Sequence, residues 1–127
     1  MAASGNAALD VALACHNAWV SGDMDRAFTY FHPNVVCDAP RAGHVEGAEI
    51  YRTVLSEFQK LLTGSKVVAA FGDDEHALIL FDTHSDLVAS SPTVTHVKVA
   101  DGKIVYVRII FDQAPWIAAR TALGMAL

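Results

Sequence analysis

Long segments between Lys66 and Asp112 are apolar on both faces, and few folds accept such strands. Ala77-Leu78-Ile79-Leu80-Phe81 has no polar alternate, and Ile104-Val105-Tyr106-Val107-Arg108-Ile109-Ile110-Phe111 has almost none. An antiparallel sheet with one wet face alternates apolar and polar residues. These strands therefore have to be covered twice. The helices available in so short a chain cover one face, and the other face is expected to meet a second copy of the chain. A bent sheet closed by helices encloses a pocket, and function would reside there.

At 127 residues the chain reads as one domain, 1–127, with room for a real core. An apolar fraction of 53% is high for a monomer, which supports the extra buried surface of a homodimer. The net charge of −5 and the absence of a basic run argue against a nucleic-acid partner. The longest apolar stretches are too short to span a bilayer. Met-Ala-Ala-Ser-Gly-Asn lacks the basic region and apolar block of a signal peptide, so a cytoplasmic protein with no membrane partner is expected. Cys15 and Cys37 lie in apolar surroundings and read as buried free thiols.

Asn6 can cap a helix running to about Val20, apolar nearly all round. Ser21-Gly22-Asp23 ends it and caps a short helix, 24–31, stopped by His32-Pro33. Val35-Val36-Cys37 reads as a short strand and 40–47 as a loop. A third helix spans about 48–62, and Gly64 terminates it. Strands follow at about 66–71, 75–88, 93–100 and 103–112, joined by turns with Gly72-Asp73-Asp74, Ser90-Ser91-Pro92 and Asp101-Gly102. Pro115 opens a last helix to about Met125. Helix, helix, strand, helix, then an antiparallel meander predicts an α+β fold. Its form is a cone: a strongly bent, mostly antiparallel sheet wrapped around the N-terminal helices in the manner of a cystatin-like α+β barrel.

That order resembles the nuclear transport factor 2-like superfamily, in particular its SnoaL-like and ketosteroid-isomerase-like branch. The carriers are Ser21-Gly22-Asp23-Met24-Asp25 ending in Phe31, Val35-Val36 to Pro40, Gly47 with Ile50-Tyr51-Arg52, and Asp101-Gly102-Lys103-Ile104-Val105 to Phe111-Asp112. Together they are specific for the fold and not for an activity, because this fold hosts isomerases, cyclases, epoxide hydrolases, dehydratases and non-enzymes. Ketosteroid isomerases use a tyrosine and a protonated aspartate as oxyanion donors and a second aspartate as base. The resemblance puts Cys15, Thr95 and Ala39 at those positions, so a ketosteroid isomerase is not expected. Asp38 is one residue from the base position, and a one-residue shift turns a strand side chain to the opposite face.

The same comparison puts Leu78, Leu80, Asp82, His84 and Asp86 on the pocket face. A carboxylate beside an imidazole can orient it and raise its pKa, which makes His84 with Asp82 a candidate acid/base pair. The competing reading is a solvated strand end. Phe111-Asp112 resembles the aromatic–aspartate pair of SnoaL-like polyketide cyclases, where the aspartate removes a carbon-bound proton. Asp112 equally suits a strand-end turn or the cap of the last helix. The expected pocket wall comprises Cys15, Trp19, Tyr51, Leu80, Thr95, Val97, Phe111 and Trp116, while alternation turns His96 outward. Arg41, His44 and Glu46 form a loop that either borders the entrance or is solvated.

No metal is expected, because the six histidines lack ligand spacing. His76 and His84 share a face but lie roughly 26 Å apart along a strand. There is no phosphate loop and no Gly-x-Ser-x-Gly elbow. Cys15 is mid-helix in apolar sequence, where a thiol's pKa rises. The arginine and paired aspartates of limonene-type epoxide hydrolases are not visible. The sequence thus points to a cofactor-independent isomerase, cyclase or hydrolase. Its substrate would be a small apolar molecule, polyketide-, terpenoid- or steroid-like, acted on by proton transfer. The alternative is a non-catalytic ligand-binding or dimerisation module on the same cone.

Overall fold

Residues 7–20 are apolar on nearly every side, and in the computed structural model, which describes residues 5–124, the rest of the chain wraps them. They form α1 (Ala7–Val20), which buries Ala8, Ala12, Cys15, His16, Ala18 and Trp19. Asn6, the expected cap, makes no side-chain bond to the helix. The cap comes from a distant turn: the Ala7 amide donates to Asp74 Oδ1 at 3.0 Å, and the Ala8 amide donates to the Asp73 carbonyl at 3.0 Å. Two of the otherwise free amides at the helix start are satisfied in this way.

The chain continues through α2 (Met24–Ala27), β1 (Phe31–Ala39), β2 (Gly43–Glu46), α3 (Ala48–Gln59), β3 (Leu62–Gly72), β4 (His76–Ser85), β5 (Ser91–Ala100), β6 (Lys103–Phe111) and α4 (Ala114–Ala122). Two segments differ from expectation. The chain from Phe31 enters β1 straight away, and His32-Pro33 lies in the irregularity between the Phe31–Ile104 and Val36–Tyr106 pairings. A proline lacks the amide for a ladder bond, so it is tolerated at such a break. The expected loop 40–47 contains β2, a short strand paired to β1 from Val36–Glu46 to Ala39–Gly43. Gly64 lies within β3 and does not end α3. Met125, the expected end of the last helix, lies outside the described residues.

The six strands form one open sheet in the order β2-β1-β6-β5-β4-β3, antiparallel except for the β1–β6 pair. Bulges at Leu62/Gly64, Val67/Ala69 and Lys98/Val99 interrupt the ladders. Each bulge bends its strand, and together they curl the sheet around α1 and α3. Gly47 opens α3 at φ +97°, a backbone conformation that disfavours any side chain, and its amide donates to the Val35 carbonyl at 2.8 Å. This fixes α3 against β1. On the other side, α4 caps the cone: the Trp116 indole N–H donates to Ser91 Oγ at 3.1 Å. No helix among the described residues is long and apolar enough to cross a membrane.

Candidate functional site

The helices do not fill the concave face of the sheet. Between α1, α3, α4 and the inward residues of β1, β4, β5 and β6 lies a cavity of about 520 Å³. That is the size of a small-molecule site. Its walls are mostly apolar, and Cys15, Trp19, Tyr51, Thr95, Val97, Phe111 and Trp116, seven of the expected wall residues, line it. Cys15, Ala39 and Thr95, which stand at the ketosteroid-isomerase positions in the resemblance, all face it. A thiol, a methyl and a hydroxyl therefore occupy the places where that chemistry needs a phenol and two carboxyls.

Leu80, Asp82 and His84 are a correction. The inward residues of β4 are Ala77, Ile79, Phe81, Thr83 and Ser85, and the three predicted residues point to the outer face. Both parities of the run 77–81 are apolar, so period two alone does not select the inner one. The choice is made further along, where the hydroxyls of Thr83 and Ser85 are cheaper to bury than the charges of Asp82 and His84. The buried hydroxyls find partners: Thr83 Oγ1 lies 3.4 Å from Thr93 Oγ1, and Ser85 Oγ donates to the Val88 carbonyl at 3.0 Å. His84 Nδ1 lies 3.0 Å from the Ala89 carbonyl, a local contact in the β4–β5 connection.

Asp112 is also corrected. It is exposed, it does not line the cavity, and its Oδ1 accepts the Ala114 amide at 2.9 Å. It follows Phe111, which faces inward, and so turns the other way and serves the entry to α4. Asp38 likewise points outward, where it accepts the Tyr106 hydroxyl at 2.8 Å and lies 2.7 Å from His44 Nδ1. His44 and then Tyr106 hold the Asp38 carboxyl below its usual pKa, and Asp38 and then Glu46 raise that of His44. His96 faces outward as expected, 3.0 Å from His76 Nδ1. Arg41 lines the cavity, whereas His44 and Glu46 belong to the outer cluster.

One buried titratable group in the wall is one that sequence reasoning missed. His16 is 5% exposed, lines the cavity, and its Nε2 is buried with no hydrogen-bond partner among the described residues. Its ring meets Phe81 at 4.6 Å and Trp19 at 5.4 Å between centroids, edge to face in both cases. Burial pushes its pKa down to about 4, so the imidazole is neutral at pH 7. The thiols and the phenol of the wall are protonated there. Burial raises Cys15 to about 12 and Cys37 to about 11, the latter despite the Tyr51 hydroxyl against it, and burial also raises Tyr51. Arg120 on α4 also lines the cavity and was not singled out from sequence. Helical spacing carried a signal for both residues: His16 falls four after Ala12 and three before Trp19, and Arg120 falls four after Trp116.

Comparison with known proteins adds the family context. A family model described as a SnoaL-like domain matches residues 12–107. No match was found among curated proteins. Among solved structures, a protein from Kribbella flavida DSM 17836 is 44% identical, covering 94% of this chain and 98% of that one at a TM-score of 0.90. An epoxide hydrolase of M. tuberculosis, described as LEH-like, is 18% identical over 96% of this chain and 98% of its own, at a TM-score of 0.73. A protein of Jannaschia sp. CCS1 described as a SnoaL-like polyketide cyclase is 15% identical over 96% of each chain, at a TM-score of 0.79. At such identities the last two show the shared fold.

Proposed function

Because the chain belongs to the SnoaL-like domain family, we propose that it holds a small, largely apolar molecule in the cone and transfers a proton on it without a cofactor, with His16 as the acid/base group. The reaction would be of the isomerase, cyclase or hydrolase kind. One observation carries the reading: a neutral imidazole, its Nε2 without a partner among the described residues, lines a mostly apolar cavity. An unpartnered buried nitrogen costs free energy in the empty protein, and an occupant with a group to pair with it removes that cost. A substrate hydroxyl, enol or acidified C–H meets that description.

A base whose pKa lies near 4 is weak in the empty cavity. Once it takes a proton from an occupant, the resulting imidazolium faces the new oxyanion across a low dielectric. The two charges then attract each other more strongly than they would in water, which offsets part of the cost of burying them. Thr95 on the sheet wall supplies a hydroxyl as a candidate donor to that oxyanion, whereas the Thr93 hydroxyl donates to the Ser91 carbonyl at 3.1 Å. His16→Gln removes the base and keeps the bulk. With a substrate in hand, turnover should fall by about a hundred- to ten-thousand-fold while ligand affinity changes little. A variant with full activity would remove His16 from the proposal.

The second reading is a ligand-binding module without chemistry. Cys15, Ala39 and Thr95 at the three isomerase positions favour it. The discriminating result is a set of apolar ligands that raise the melting temperature, with none of them turned over.

A second copy of the chain is the proposed cover for the outer sheet face. Phe71, 70% exposed, lies across from Leu78, and Leu80, Val94 and Ile110 form a row over three adjacent strands. Two buried free thiols suit a reducing compartment, which supports a cytoplasmic setting.

A further inference from the structure

The cavity has its charges at one end. Arg120 is only 8% exposed, and its Nε is buried without a hydrogen-bond partner among the described residues. Arg41, from the β1–β2 turn, lines the same cavity. No ion pair among the described residues involves either guanidinium. Glu57 is the carboxylate on that wall, and it is bound to Lys60 Nζ at 3.2 Å. Burial lowers the Arg120 pKa from its ordinary value, and the Arg41 charge adds to the effect. An arginine nevertheless stays protonated in a protein. Like charges gathered at an apolar cavity with no counter-ion among the described residues are unfavourable unless the occupant brings a negative charge.

The path from the imidazole to that end is aromatic. His16 meets Trp19 at 5.4 Å, Trp19 meets Phe58 at 6.3 Å, and Phe58 meets Trp116 at 5.6 Å between ring centroids. All four rings line the cavity, and Arg120 lies one helical turn beyond Trp116. The bond from the Trp116 indole to Ser91 Oγ fixes that ring and with it the wall. A molecule lying along this wall has its body on Trp19 and Phe58, one end at His16 and the other at Arg120.

We propose that the natural occupant is an amphipathic monocarboxylate: an apolar body along the aromatic wall, with its carboxylate on the Arg120 guanidinium and Arg41 as the second cation. The inference rests on the cavity reading above and names its ligand class. A guanidinium fork pairs with carboxylate and phosphate alike. Arg120 is buried whereas Arg41 is exposed to water, so a monoanion matches the one desolvated cation and a phosphate dianion would be left under-compensated there.

The test compares decanoate with methyl decanoate and decanol, read by the fluorescence of Trp19 and Trp116, the two tryptophans of the chain. The wild-type protein should bind decanoate about tenfold or more tightly than either neutral analogue, as a charge-assisted pair requires. Arg120→Gln should bring the three affinities together while leaving those for the ester and alcohol unchanged, and Arg120→Lys should keep part of the preference. If Arg120→Gln does not fold, Arg41→Gln, at an exposed position, should still weaken decanoate alone. Equal binding of decanoate and its ester by the wild type overturns the inference and leaves the cavity reading standing. A preference that persists undiminished in the folded arginine variants also overturns it. Absence of binding by all three ligands removes the cavity reading and the inference together.

Discussion

An imidazole buried edge-on against Trp19 and Phe81 has to carry its charge without hydration, so His16 accepts a proton only near pH 4. In the unfolded chain the same group titrates near 6.5. Between these values the unfolded state binds the extra proton, so stability rises with pH across the window. The contribution is complete above pH 6.5 and is lost as the pH falls toward 4. A displacement of this size corresponds to about 3 kcal/mol. Urea unfolding of wild type and His16→Gln at pH 7 and pH 4.5 should show about 2–3 kcal/mol more acid loss in the wild type. Equal losses would mean that the imidazole is not desolvated. His44 has the opposite sign: its raised pKa stabilises below 6.5 and fades as the pH rises through the folded value, so the two effects occupy separate windows. Neither His16 nor Arg120 stood out in the sequence, because helical spacing puts a lone polar residue on the face of its apolar neighbours without showing that the face is buried. Cys15, Trp19 and Phe111 were legible because apolar residues on a concave face have few other places to go.

At the scale of elements, strand and helix types followed from periodicity, whereas parity and short strands did not. Four residues such as Gly43-His44-Val45-Glu46 are too few and too polar to read as a strand, and β2 exists because β1 pairs with it. The parity of β4 was lost for a different reason: two apolar faces leave the inner one undetermined until Thr83 and Ser85 are weighed against Asp82 and His84. The β3–β4 turn matters more than its sequence suggests, since Asp73 and Asp74 also cap α1. It closes tightly at Gly72, where an added Cβ would lie 2.6 Å from the His76 carbonyl oxygen and 2.9 Å from Ala77 Cα. Both obstacles are backbone and cannot move cheaply. Gly72→Ala should therefore destabilise by about 1–3 kcal/mol, part of it through the displaced cap. At Gly64, by contrast, an added Cβ meets only His84 Cδ2 at 3.8 Å, an ordinary contact. Gly64→Ala should stay within about 0.5 kcal/mol of wild type. Thermal unfolding of the pair checks the contrast, and equal effects would mean that the turn can open.

For the molecule as a whole, the two apolar faces that first constrained the fold have separate fates. The inner face closes over the cavity, with Ile79, Phe81, Val97 and Val107 buried. The outer face stays open in the single chain: Leu78 is 47%, Leu80 37% and Ile110 51% exposed. Leu80 lies across from Val94, and Val94 from Ile110, so the exposed side chains form a connected patch. A stable dimer covers about 800 Å² of each partner, and an apolar patch on an otherwise acidic chain is the natural centre of such an interface. Leu80→Lys tests this by a difference in cost. In a monomer the lysine tip reaches water from a partly exposed site and little is lost. In a dimer the same ammonium is buried against Val94, Ile110 and their partner copies without a counter-ion, which costs several kcal/mol. Sedimentation at micromolar concentration should therefore show a wild-type dimer and a Leu80→Lys monomer, with unchanged circular dichroism. The wild-type melting temperature should rise with concentration, and that of the variant should not. A monomeric wild type, or a variant that keeps the wild-type mass, would mean that the outer face is covered by something other than a second copy.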